Sequence, residues 1–431
     1  MLFRSNLLAF FGLFILTAFP LAVSAARADF FKNNSHLIDD NLPRLSYGVA
    51  VADLNGNNTP EFVVTGFGYP NLALEISNGR LSNRLSNSLF SDAQRKTIGV
   101  AACDVDGDGM EEVYFLNTDA YSGEKVLADR LLDFGPEPYD LFEQGDNWVS
   151  LNLTAGRSVA CVDRKGDGQY GIYVSNYGGP SRFYEVDGTE VEDISIQLGI
   201  DRTTGGRAVV SGHILGSRND ILAANERGAN FLYQNIDGRF LDRAVEYGVD
   251  DTMQNGRGTA LADILYDGRL GIIIGNWNGY HRVYVPLRNS FLDYATDEFR
   301  EPSKVRTVIS ADFDNDGYDE IFFNNIGQPN RMFRVREGGL LEPVLLSAAL
   351  EANGLGTGAA VADIDNDGVL DLLVAHGERA PQPLSLFRAN IDSPGRYLRI
   401  APLTDNGAPA RGATVILETN MRVHAKTIDA G

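Results

Sequence analysis

Asp104-Val105-Asp106-Gly107-Asp108-Gly109-Met110-Glu111-Glu112 runs straight into the apolar stretch Val113-Tyr114-Phe115-Leu116. The same nonapeptide returns as Asp312-Phe-Asp314-Asn-Asp316-Gly317-Tyr318-Asp319-Glu320 before Ile321-Phe-Phe323. It returns again as Asp363-Ile-Asp365-Asn-Asp367-Gly368-Val369-Leu-Asp371 before Leu372-Leu-Val374. Carboxylates at positions 1, 3, 5 and 9 surround a glycine at position 6 that permits a sharp turn. The main-chain carbonyl at position 7 (Met110, Tyr318, Val369) completes a set of hard oxygens suited to Ca²⁺; Mg²⁺ demands tighter octahedral geometry and keeps its waters. An EF-hand would need a bidentate Glu at position 12 and flanking helices. Here position 12 is Phe115, Phe323 or Val374, and the flanks read as strands. These are metal loops between strands.

Weaker copies fill the intervals. Asp53-Leu-Asn55-Gly-Asn57-Asn58-Thr59-Pro-Glu61 keeps oxygen at each ligand position, but lacks the turn glycine and carries less charge, so a fourth, weaker calcium site is expected at Asp53, Asn55, Asn57, Thr59 and Glu61. In the Asp163 loop Lys165 stands at position 3 and is expected to act as a built-in cation in place of a metal. The Asp263 loop keeps only Asp263 and Asp267 and reads as an ordinary turn. Aligning Gly206-Arg207 with Gly156-Arg157 places His213 at the head of a unit with no acidic loop. First positions then fall at 53, 104, 163, 213, 263, 312 and 363, with intervals of 51, 59, 50, 50, 49 and 51 residues. A fixed period of this size indicates one supersecondary unit per repeat.

Each unit opens on a small-residue strand, such as Tyr47-Gly-Val-Ala-Val-Ala or Gly356-Thr-Gly-Ala-Ala-Val-Ala. Small residues suit a crowded axis where backbones come close. A bulky strand follows the loop, and a third strand follows a Gly/Pro/Asn turn (Asn71–Glu75, Asn330–Val335). The expected fold is all-β: a seven-bladed β-propeller over residues 29–393, whose radial blades leave only short edges. An open solenoid would need polar caps. Closure is expected from the segment at Phe30-Phe31, added to the last blade.

Residues 1–28 read as an export signal, with Arg4, an apolar run from Leu7 to Phe19, and small residues before a cleavage point. No other apolar run is long enough to span a bilayer. Of 431 residues, 44% are hydrophobic, enough for a large core, and removing the signal moves the net charge from −21 to −23 by taking away Arg4 and Arg27. Such acidity argues against nucleic acid and anionic membranes as partners. Cys103 lies one residue before its loop aspartate and Cys161 two, so they point to opposite faces of their strands. Both an inter-blade disulfide and two buried thiols are consistent with that placement. Beyond Pro394, Gly395–Pro402 and Gly412–Thr419 alternate as two strands of a further β module spanning 394–431.

The acidic loops with their small-residue strands resemble the FG-GAP (VCBS-type) repeats of integrin α-chain propellers. Gly156-Arg-Ser-Val-Ala-Cys161, Asn225-Glu-Arg-Gly-Ala-Asn-Phe-Leu-Tyr233, Gly275-Asn-Trp-Asn-Gly-Tyr-His-Arg282 and His376-Gly-Glu378 resemble the cartilage acidic protein 1 family from about Leu45 onward. Arg411-Gly-Ala-Thr-Val resembles the ASPIC/UnbV module, of which the tail would be a truncated copy. The resemblance implies a secreted, calcium-binding propeller with a matrix or cell-surface role and no established catalytic chemistry. The family's animal members carry a Cys-rich EGF-like tail that this sequence lacks, which suggests a bacterial member.

His36, His213, His281, His376 and His424 fall in no nucleophile elbow, zinc spacing or metalloprotease helix, and His281 and His376 are expected to serve structural hydrogen bonds. Trp148 and Trp277 read as packing or surface anchors, and Asn33, Asn57 and Asn152 lie in glycosylation sequons. No catalytic constellation is recognisable. The expectation is a non-enzymatic exported scaffold, its calcium loops pinning the blades and its opposite face presented to an extracellular protein or glycan. The alternative is a calcium-dependent extracellular polysaccharide lyase or hydrolase, which would require a Lys, Arg, Tyr or His cluster in one groove; fold alone does not exclude it.

Overall fold

The computed structural model describes residues 29–57, 59–135, 137–391, 395–420 and 422–429. The expected export signal lies outside them. The chain is all-β, with helices of only three or four residues among the described residues. Its strands form antiparallel four-stranded units, the first of which is Ser46–Ala52, Glu61–Gly66, Leu72–Ser77 and Arg80–Asn83. The second uses Thr97–Cys103, Glu112–Asn117, Arg130–Asp133 and Tyr139–Asp140. The same up-and-down order repeats from Gly156, Thr203, Gly256, Val305 and Gly356. In the third and fourth units the strands Gly171–Pro180 and Thr203–Gly212 are extended and pair with each other, fusing two units into one eight-stranded sheet.

The first strand of each unit packs against the first strand of the next, and Gly356–Ala362 returns to pack against Ser46–Ala52. The ring is therefore closed, an arrangement consistent with a propeller. The last unit takes its fourth strand from the start of the described chain: Phe31–Asn33 pairs with Ser385–Ala389, Phe31 opposite Ala389. Closure thus falls at the expected segment. Small residues make the axis possible, because a side chain on Gly48 would stand 3.1 Å from the Gly99 Cα. Between units, bulky second- and third-strand residues interdigitate, as Phe62, Val64 and Leu74 do with Leu373 and Leu386. Between the second and third units Cys103 and Cys161 are joined by a disulfide, within a core that includes Tyr114, Phe142 and Tyr184.

Each first strand carries an irregularity just after its start. The register shifts between Thr97 and Gly99, Gly156 and Ser158, Gly206 and Ala208, Gly256 and Gly258, Val305 and Thr307, and Gly356 and Gly358. A bulge of this kind leaves one residue unpaired and re-aims its side chain. The bulged residues are Ile98, Arg157, Arg207, Arg257, Arg306 and Thr357.

The C-terminal segment departs from expectation. Residues 395–402 form no strand; the hairpin is instead Thr414–Glu418 with Val423–Thr427. Alternation in the first stretch reflects an extended run across the acidic loops, where the Tyr397 ring lies directly over Gly368 and Arg399 donates to the Asn366 side chain. Further on, Arg411 makes a bidentate pair with Glu111 (2.7 and 2.9 Å) and donates to the Val51 carbonyl at 2.8 Å. The Ala425 amide donates to Asp263 at 3.1 Å, and Lys426 pairs with Asp319. The segment therefore covers the loop-bearing face. Arg411, Gly412, Ile428 and Asp429 also line, with the first strands, a cavity of about 170 Å³ at that end of the axis.

Candidate metal centres and the open mouth

The acidic loops fold on themselves in one pattern. In the second unit Asp104 accepts from the amides of Gly107 (2.6 Å) and Gly109 (3.0 Å), Asp106 from Asp108, and Asp108 from Met110. Glu112, at the start of the second strand, accepts from the Val105 amide at 2.7 Å. Gly109 has φ +93°, as the sharp turn requires. Position 4 is also left-handed, in Gly107 (φ +81°), Asn315 (φ +55°) and Asn366 (φ +58°), a feature the sequence template did not use. Asp312, Asp314 and Asp316 repeat the arrangement, as do Asp363, Asp365 and Asp367. In each of the three loops the carboxylates at positions 1, 3 and 5 offer oxygens within 4.8 Å of one another.

The position-9 residues are buried and electrostatically strained. Burial, then Asp106 and Asp133, pushes Glu112 up to about 9. Burial and Asp314 push Glu320 up to about 9, and burial and Asp365 push Asp371 up to about 8. Glu112 Oε1 and Asp371 Oδ2 are buried and receive no hydrogen bond. A buried carboxylate oxygen without a donor, beside other carboxylates, is costly unless a cation meets it. The residues present therefore fit a hard divalent ion.

The loops are not equivalent. Across the strand pair from Glu112 lies Asp133, and Asp106, Glu112 and Asp133 form a second cluster with oxygens within 4.8 Å of one another. Sequence reasoning missed Asp133. In the sixth unit the matching position is Arg334, which pairs with Asp314 and with Glu320 (2.7 Å); in the seventh it is Arg388, which pairs with Asp365 (2.7 Å) and Asp367. A guanidinium thus enters those two loops from the third strand. In the Asp163 loop the Lys165 ammonium lies 3.2 Å from Glu185, on the neighbouring strand Arg182–Asp187, while Asp163 accepts from the amides of Gly166, Asp167 and Gly168.

The Asp53 loop keeps the fold but turns an amide inward. Asn55 Nδ2 donates to Glu61 at 2.7 Å, Asn57 Nδ2 to Glu75 at 3.0 Å, and the Thr59 amide to Asn57 at 2.6 Å. Burial raises Glu61 to about 7. The Asp263 loop is an ordinary turn, as expected, with Asp263 accepting from Asp267 and Gly268. In the His213 unit, Asp220 accepts from Ile214, Leu215 and Asn235 and so helps close the turn.

The histidines play the structural part assigned to them. His281 accepts from the Asn276 amide and lies 3.0 Å from Ser303 Oγ, with burial holding it down at about 3; His376 bridges the Pro383 carbonyl and Glu351. Asn152 is fully buried, its amide nitrogen donating to Asp129 and Asn176, so that sequon is closed to a glycan in the folded chain.

At the opposite end of the axis, the bulges bring together a constellation that went unrecognised in the sequence. Arg157, Arg207, Arg257 and Arg306 line one cavity of about 520 Å³ with Tyr47, Tyr121 and Trp277. Its signal was a column of arginines at the same place in four successive repeats, six residues before each loop head.

An FG-GAP-like repeat family matches residues 312–374, the sixth loop through the seventh. Cartilage acidic protein 1 of Homo sapiens is 45% identical over 91% of this chain and 66% of its own length; the Mus musculus protein is 44% identical over 91% and 67%. The chain belongs to the cartilage acidic protein 1 family. It spans about two thirds of the length of these curated relatives. The vertebrate matches lend no support to the expected bacterial origin. Among solved structures, BBS1N in complex with ARL6DN aligns with TM-score 0.52 over 82% of this chain and 96% of that one, at 10% identity, a likeness of fold alone. No helix among the described residues is long and apolar enough to cross a membrane.

Proposed function

We propose that this family member is an exported, non-catalytic scaffold: a seven-bladed propeller whose Asp104, Asp312 and Asp363 loops bind Ca²⁺, with a weaker site at Asp53, and whose open face engages an extracellular protein or glycan. The observation that carries the metal assignment is the donor-less buried oxygen of Glu112 beside Asp106 and Asp133. The ligands would be Asp104, Asp106, Asp108, Glu112 and the Met110 carbonyl, with Asp133 added from the third strand. The metal would neutralise the cluster and bind only the folded form, raising stability by mass action. Metal analysis after dialysis, paired with thermal melts, tests this. Three calcium ions per chain and a midpoint that falls in EGTA are expected; fewer than one ion with an unmoved midpoint overturns it.

A polysaccharide lyase or hydrolase is the second reading, favoured by the arginines and tyrosines gathered at the open mouth. Against it, burial and Glu378 push Tyr47 up to about 12, and burial also raises Tyr177. Phenols held protonated bind and donate; they do not abstract protons near neutral pH. Incubation with polyuronates separates the readings: appearance of unsaturated ends or of new reducing ends supports the enzyme, and intact polymer supports the scaffold.

A further inference from the structure

The open mouth is built from a repeated device. The bulge that begins each first strand turns one side chain toward the axis, and in four consecutive units that side chain is an arginine. The guanidinium groups are held apart by aromatic rings. Tyr177 lies between Arg157 (5.5 Å) and Arg207 (4.4 Å), and Trp277 between Arg257 (4.8 Å) and Arg306 (4.9 Å). Cation–π contact of this kind offsets part of the cost of desolvating a guanidinium.

Internal carboxylates answer three of the four charges. Glu226 bridges Arg207 (2.6 Å) and Arg257 (2.8 Å), and Glu378 pairs with Arg306. Arg157 has no carboxylate among the described residues: it donates to Thr118 Oγ1 (2.6 Å), to the Gly156 carbonyl (2.6 Å) and to the Tyr121 carbonyl. Burial and Arg207 pull Arg157 down to about 10, and burial with Arg207 and Arg306 pulls Arg257 down to about 9, so the cluster repels itself while staying charged near neutral pH. The Nε atoms of Arg157, Arg257 and Arg306 are buried without an acceptor. The wall also carries Lys96, set against Asp119, whose carboxylate is taken up by the amides of Val126 and Leu127. A chain of net charge −21 thus concentrates positive charge in one recess.

We infer that this mouth binds an acidic saccharide, with a hexuronate-type carboxylate set against the Arg157 guanidinium. The inference rests on the proposed reading of the open face as the ligand-presenting one, but not on metal binding. A carboxylate is the matching group because the recess already holds two of its own between its guanidinium forks. The ligand must be slim, since the Arg207 and Arg257 side chains are only 7% and 9% exposed. About 520 Å³ is within the range that holds a small ligand. The Tyr121 ring, 67% exposed at the rim, offers a face to the C–H side of a pyranose. The acidic exterior disfavours densely charged polymers and so favours single acid groups set among neutral hydroxyls.

The test is calorimetric titration of the full chain with digalacturonate, with neutral digalactose, a tetra-aspartate peptide and inorganic sulfate as separate arms, in calcium and again in EGTA at a temperature where the fold persists. Digalacturonate is expected to bind at least tenfold more tightly than the other three, with affinity falling as salt rises. Arg157→Gln is expected to weaken it at least tenfold, and Tyr121→Ala at the exposed rim severalfold; because Arg157 is half-buried and the Tyr121 ring meets Arg157, Arg207 and Tyr177, melting points are measured alongside to show that both variants stay folded at the titration temperature. Preference for the peptide, equal binding of the neutral sugar, sulfate alone, no binding, or undiminished affinity in both variants each overturns the inference. Calcium stoichiometry in the same samples reports on the metal reading separately.

Discussion

The second and sixth units carry near-identical loops, yet the structure surrounds them differently. Around Asp104 the third strand supplies another acid, Asp133, which joins Asp106 and Glu112 in one cluster, and no Lys or Arg among the described residues pairs with it. Around Asp312 the same strand position supplies Arg334, which reaches Asp314 and Glu320. The consequence is visible in the carboxylates: burial and Asp108 push Asp106 up to about 6, whereas the rise at Asp314 is opposed by Arg334. One loop asks for a cation from solution, and the other already has one within reach. A nonapeptide therefore specifies the shape of a calcium cage, and a residue across the sheet sets its charge.

Reversing that residue should have the largest effect. Asp133→Arg is expected to weaken the Asp104 site at least a hundredfold, roughly 3 kcal/mol, leaving the other sites intact by calcium titration; unchanged affinity would show that the third strand has no say. The anchoring of the C-terminal segment offers a parallel contrast. Arg411 and Glu111 are nearly buried, whereas Lys426 is 44% exposed over Asp319. Arg411→Ala, leaving Glu111 buried and unpaired, should cost about 3 kcal/mol, and Lys426→Ala under about 1 kcal/mol, by denaturant unfolding. Equal losses would mean that the two anchors do not differ.

The pH response sharpens the comparison. With calcium chelated, Glu112 has a folded-state value raised to about 9 from an ordinary 4.5. The folded chain then holds a proton that the unfolded chain releases, so stability should fall as pH rises from about 5 to about 9. In saturating calcium the cage is ionised in the folded chain as it is in the unfolded one, so the slope should flatten; melts across that range with and without chelator check the difference. The smallest change expected is at Arg334→Gln, which should tighten the Asp312 site about tenfold, roughly 1.4 kcal/mol, as read by competition with a calcium dye.

The ring was legible because loop heads recur at nearly constant intervals, and its closure because Phe30-Phe31 precedes the first complete unit. Asp133 was hidden by the 59-residue interval after Asp104, where the inserted stretch carrying the buried Lys125–Asp129 pair displaces the third strand from its usual distance. The four mouth arginines stood in plain register, but their convergence depends on ring closure and on a bulge, and neither is written in local alternation. Gly395–Pro402 misled for the opposite reason. Its alternating pattern is real, but its partners are loop surfaces such as Gly368 rather than another strand.

Anomalous diffraction at long wavelength, from crystals grown in millimolar calcium, tests the central claim most directly. A strong peak enclosed by Asp104, Asp106, Asp108 and Glu112 is predicted, with weaker peaks at the Asp312 and Asp363 loops where Arg334 and Arg388 must withdraw. Density without a calcium signal in the Asp104 loop, or equal peaks with both arginines still in place, would contradict it.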